Sequence, residues 1–153
     1  MLTNYEEFSL GIHELYRSMH KEETVVVNKA MLRGANVRYL VALLQYPEGL
    51  TMSQLCEVCD QDKAAVSRAI SELVGREIIW RDNPKGNHYR ARLKLTERGY
   101  ALAKEVCASG ESIFNEAVSS LSEEQVSQLF ELTKLISGNI HNLYKKKIEK
   151  FDR

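Results

Sequence analysis

Thr51 is followed three residues later by Gln54, and Leu50 and Leu55 flank the pair. The Thr51 hydroxyl can accept from the amides of a first helical turn while Gln54 reaches back to the Thr51 amide, and the two leucines close an apolar staple across the cap. This pattern predicts a short helix from about Met52 to Val58. Asp60 and Asp62 then offer a second cap ahead of Val66, Ile70, Leu73 and Val74, the buried stripe of another helix. Only three or four residues separate the two helices, which is the spacing of a helix-turn-helix.

Helical stripes also lie on either side of this motif. Phe8, Ile12, Leu15 and Met19 recur four, three and four residues apart and predict an amphipathic helix from about Tyr5 to Glu23. Val37, Leu40, Val41 and Leu44 predict a second helix closed by Pro47 and Gly49, with Val25 to Val27 between them as connector or helix. After Leu73 the texture changes: Ile78 to Arg81, a turn cluster from Asp82 to Asn87, and His88 to Leu95 read as strand, turn and strand. In the second strand Tyr89, Ala91, Leu93 and Leu95 alternate with His88, Arg90, Arg92 and Lys94, so one face is apolar and the other basic. Thr96 is a candidate cap for a long helix carrying Leu102, Val106, Ile113 and Ala117 on one face, with Gly110 as a weak point. Ser122 and Gln125 repeat the capping box and open a final helix striped by Leu129, Leu132, Ile136, Ile140 and Leu143.

Basic and acidic side chains balance at 21 each, and a neutral chain is a poor match to duplex DNA. Their distribution reverses that impression. From Lys63 to Arg98 nine Lys and Arg stand against four acids, a local charge of +5, and the remainder carries −5. A basic middle between acidic ends is the electrostatic footprint of a nucleic-acid binder. No stretch approaches the roughly 18 apolar residues of a membrane span, and Met1 to Glu7 carry no leader pattern, so a cytoplasmic protein without membrane contact is expected. Three cysteines, an odd number, then imply reduced thiols and no disulfide framework.

Three segments taken in order carry a family resemblance: Leu50-Thr51-Met52-Ser53-Gln54-Leu55; Asp62-Lys63-Ala64-Ala65-Val66-Ser67-Arg68 with Leu73; and Leu93-Lys94-Leu95-Thr96-Glu97-Arg98-Gly99. Over essentially its whole length the chain resembles the MarR family of bacterial transcription regulators. The resemblance implies a mainly α fold with a small β-hairpin wing, a winged helix-turn-helix with N- and C-terminal dimerisation helices. One domain is expected over residues 1–153, with dimerisation helices at 1–30 and 122–153, the winged module at 31–98 and a connecting helix at 97–121. It also implies a homodimer on double-stranded DNA, a repressor or activator with the second helix of the motif in the major groove and the hairpin tip near the minor groove. Two positions depart from the family pattern: Asn87-His88-Tyr89 replaces the usual Asp-Arg-Arg run of the wing, and Glu77 stands where glycine usually follows the recognition helix. A left-handed backbone at Glu77 would cost roughly 1 kcal/mol.

With Val66 and Ile70 inward, Lys63, Ala64, Ser67, Arg68 and Ser71 face outward, and Arg68 suits a bidentate bond to a guanine edge. Ser53 on the preceding helix and Lys85, His88, Arg90 and Arg92 on the hairpin complete the expected DNA contacts. Phe8, Ile12, Leu15, Ile136, Ile140, Leu143 and Tyr144 are the expected dimer interface. In the family, small aromatic or anionic effectors bind between the dimer helices and the winged domain, which nominates His13, Tyr16, Arg17 and Arg38. His13 and His20 otherwise read as surface or interface residues, and no metal or other cofactor is expected. Cys56 and Cys59 invite a thiol or metal-responsive reading, but small-residue packing is the simpler account, as it is for Cys107. A competing function is a winged-helix protein-interaction module whose basic surface meets an acidic partner. No nucleophile and base pair, glycine-rich phosphate loop or metal quartet suggests an enzyme, and no catalytic residue is nominated.

Overall fold

The computed structural model describes residues 3–83 and 91–151, the side chains of 144–151 excepted. Its elements are α1 (Asn4–Lys29), a 3-10 turn (Gly34–Asn36), α2 (Val37–Gln45), α3 (Met52–Cys59), α4 (Lys63–Gly75), β1 (Ile79–Asp82), β2 (Arg92–Leu95), α5 (Glu97–Ala117) and α6 (Glu123–Phe151). The chain divides into two compact units, residues 1–114 and 115–153. The predicted class, mainly helical with one antiparallel hairpin, is the observed one.

In the first unit one core forms under the helix-turn-helix. Leu40 and Leu43 of α2, Leu55 of α3, Val66, Ile70 and Leu73 of α4, Ile79 of β1 and Leu93 of β2 are all buried, joined by Val27 of α1 and by Ala103 and Val106 of α5. Both predicted capping boxes of known sequence signature are present: Thr51 with Gln54 at 3.3 and 2.9 Å, and Ser122 with Gln125 at 3.2 and 2.9 Å. Thr3 and Glu6 form a third, which the sequence reading did not identify, at the start of α1.

Several boundaries move for physical reasons. Helix α1 continues past Glu23 to Lys29 because Val26 and Val27 are buried, which settles the Val25 to Val27 connector as helix. Three helices then end in the same way without glycine. At Met31, Asp60 and Glu77 the backbone is left-handed (φ 60°, 49° and 58°). Each of these residues donates its amide to the carbonyl three residues back, and the next residue, Leu32, Gln61 or Ile78, donates to the carbonyl five back. That is the Schellman pair of bonds, satisfying the last carbonyls of each helix.

Along α5, Leu102 and Val106 are buried as expected, but Ile113 is only half-buried and Ala117 is exposed, so the stripe fades beyond Gly110. Gly110 itself is buried against α1. A Cβ there would lie 2.9 Å from Glu23 Oε1 of α1, the mobile tip of a flexible side chain.

Candidate nucleic-acid interface

Helix α4 is launched by Asp62, whose carboxylate accepts from the Ala65 amide at 2.9 Å. That amide holds the Asp62 carboxyl below the usual carboxylate range. The turn before it is made by Asp60 in the left-handed region, a conformation that a short polar side chain tolerates. Val66, Ile70 and Leu73 then point into the core, and the opposite face follows from helical periodicity. Lys63, Ala64, Ser67, Arg68 and Ser71 are all exposed there, as is Ser53 on α3. The Ser71 hydroxyl donates to the Ser67 carbonyl at 2.9 Å, so its proton is spent within the helix and the oxygen is left as an acceptor.

The wing is fixed at its root from two sides. In β1 and β2 the register pairs Ile79 with Leu95 and Asp82 with Arg92. Beyond the hairpin, Leu50 and Leu93 exchange both backbone bonds at 2.8 and 3.2 Å, tying the entrance of α3 to β2. Gly49 makes this approach feasible. Its φ is +82°, and a Cβ would sit 2.8 Å from the Leu93 carbonyl oxygen. Arg92 Nη1 donates to the Gly49 carbonyl at 2.8 Å, so this arginine, expected to meet phosphate, is committed in part to the wing root. Lys94 bonds Asp82 at 2.8 Å and lies 5.8 Å from the exposed Trp80 ring. Lys85, His88 and Arg90 lie outside the described residues.

Two clefts border this module. The first, of about 380 Å³, lies among α1, α2 and the end of α3. Tyr16 stacks on His20 at 5.4 Å between ring centroids, His20 Nδ1 lies 3.0 Å from Glu23, and Arg38 and Cys59 line the far wall. Of the residues nominated for an effector, Tyr16 and Arg38 come together here. His13 and Arg17 lie with Tyr16 on a separate groove of α1. The second cleft, of about 560 Å³, lies between the Gly34–Asn36 turn and α4 and includes Arg33, Asn36, Arg68, Glu72 and Arg76. Sequence reasoning missed it because its two walls are more than twenty residues apart in the chain.

The cysteines are free. Cys56 and Cys59 pack against the core, and burial pushes the Cys59 and Cys107 thiols up, away from reactive thiolate. Among the described residues no group of three or more His, Cys, Asp or Glu is placed to hold a metal ion. Among the same residues no helix is long and apolar enough to cross a membrane.

Residues 32–86 match the family model described as MarR family. Over this segment the chain is similar to the MarR family. The segment takes in the 3-10 turn, α2, α3, α4 and β1, and therefore Ser53, Lys63, Arg68 and Arg33, while Tyr16 and His20 precede it. MarR-like architecture extends across the described chain. A MarR family transcriptional regulator from Listeria monocytogenes, solved in complex with 26mer DNA, is similar at 22% identity over 96% of each chain, with a TM-score of 0.77. A MarR transcriptional regulator from Methanosarcina mazei Go1 gives 0.79 at 20% identity, over 90% of this chain and 99% of that one. NadR in complex with 4-hydroxyphenylacetate gives 0.71 at 16% identity, over 89% of this chain and 96% of that one. The chain has the fold of a MarR-family transcription regulator.

Proposed function

We propose that this protein is a cytoplasmic transcription regulator that binds a specific double-stranded DNA site as a homodimer and is modulated by a small effector. The observation that carries this reading is the solvent face of α4, where Lys63, Ala64, Ser67 and Arg68 stand free above a buried stripe in a MarR-family helix-turn-helix. Arg68 reads a guanine edge, and Lys63 and Ser67 bond phosphates. The similar Listeria regulator, solved with DNA, supports the assignment.

Two unpartnered apolar faces support the dimer. Phe8, Ile12 and Leu15 on α1 are about half exposed, and so are Ile140 and Leu143 on α6, with Ile136 somewhat less. A soluble chain rarely leaves that much apolar surface uncovered. Tyr144 was expected on the same face; its side chain lies outside the described residues. For the effector, an aromatic carboxylate suits the cleft of Tyr16, His20 and Arg38, and 4-hydroxyphenylacetate bound to NadR is a compound of that class.

Selection from a random duplex pool, followed by footprinting of wild type and Arg68→Ala, tests the proposal. Arg68→Ala should weaken the selected site by about 1 to 3 kcal/mol and relax its sequence preference. Random duplex should release steeply with salt; affinity independent of salt would sink the reading and favour an acidic protein partner. Removal of residues 140–153 should leave a monomer or an insoluble chain by light scattering.

A further inference from the structure

The cleft between the Gly34–Asn36 turn and α4 is lined by Arg33, Arg68 and Arg76 and by a single carboxylate, Glu72. Positive charge is therefore in excess. The one ion pair in it is loose: Arg33 Nε lies 3.9 Å from Glu72 Oε2, and the arginine is 86% exposed. Asn36 also lines the cleft. It is 2% exposed, and its Nδ2 has no hydrogen-bond partner. Buried donors without acceptors are rare in folded proteins and call for an explanation. Arginine forks match the paired oxygens of phosphate, and a cleft of about 560 Å³ leaves room for the group that carries one.

We propose that this cleft is an oxyanion site that takes a phosphate group, carried by the backbone of a duplex or by a free phosphorylated solute. Arg33, Arg68 and Arg76 supply the charge, and Glu72 is the weak competitor that the anion displaces from Arg33. Asn36 is the positioning residue of the wall, its amide turning toward the bound oxygen. Arg68 belongs to both the cleft and the DNA-facing surface of α4. A free anion held here would thus compete with the operator; that consequence rests on the proposed function, whereas anion binding does not.

The test uses the full chain, inorganic phosphate as probe, and the variants Arg33→Ala, Arg76→Ala and Glu72→Gln, each first shown folded by circular dichroism. Calorimetric titration is run against chloride at matched ionic strength, beside the salt dependence of random-duplex binding. For a free-phosphate site, phosphate affinity should fall about threefold to tenfold in each arginine variant and rise in Glu72→Gln. For a backbone-phosphate site, free phosphate has no effect, and each arginine variant lowers the salt slope by about 1. Phosphate affinity and salt slope that are both indifferent to all three substitutions would overturn the proposal. Because phosphate titration needs no DNA, failure of the operator assignment would leave this result readable.

Discussion

The Thr96 hydroxyl donates to the Glu77 carbonyl at 2.7 Å, joining the first turn of α5 to the residue that ends α4. The same oxygen accepts from the Gly99 amide at 3.0 Å, and the Thr96 amide donates to the Ile78 carbonyl at 3.0 Å. Arg98 adds a bond to the Arg76 carbonyl at 3.1 Å. One tetrapeptide thereby caps its own helix and clasps the end of α4. Thr96→Val keeps the shape and removes the hydroxyl, and should cost about 1 to 2 kcal/mol in urea unfolding.

Gly99 is the second member of that clasp. A Cβ there would lie 2.0 Å from the Ile78 carbonyl oxygen, a backbone atom that cannot step aside alone. Gly99→Ala should therefore destabilise by about 3 kcal/mol or more, despite adding a residue with better helix propensity. An unchanged melting temperature would contradict the close approach of Gly99 to the Ile78 carbonyl.

Glu77 carries a strain that the clasp tolerates. Its left-handed backbone costs about 1 to 2 kcal/mol in a non-glycine, while glycine adds about 0.4 to 1 kcal/mol of unfolded-chain entropy. Relief exceeds the entropy, so Glu77→Gly should raise stability by roughly 0.5 to 1 kcal/mol. Thermal unfolding reads the change as an upward shift of a few degrees.

Acid should loosen the start of α4. Asp62 is held below its usual carboxylate pKa by the Ala65 amide, so its contribution is complete above the unfolded value near 3.8 and is lost as pH falls through the lower folded value. Asp62→Asn caps without titrating. Its unfolding midpoint should change less than that of wild type as pH is lowered through that window.

Local chemistry made much of this legible from residues alone. Thr51 with Gln54 and Ser122 with Gln125 are self-contained boxes, and they lie where the sequence put them. The buried stripe of α4 left Lys63, Ser67 and Arg68 outside for the same reason. The helix ends at Met31 and Asp60 could not be read in this way, because their left-handed residues lack the usual glycine signal and are set by Schellman bonds that only the folded chain makes. At Glu77 the signal existed, as a missing family glycine, and the strained conformation is what the structure adopts. Arg92 was expected among the DNA contacts, and the structure adds a bond to Gly49, forty-three residues away in sequence. Arg33, Asn36 and Arg76 escaped notice because convergence on one cleft is a property of tertiary packing.

The reciprocal Leu50 and Leu93 bonds give the winged module a mechanical character. Since the doorway of α3 and the second wing strand share a backbone seam, neither can tilt without carrying the other. A displacement at the entrance of α3 would therefore be handed directly to the second wing strand, and the two would shift as one piece.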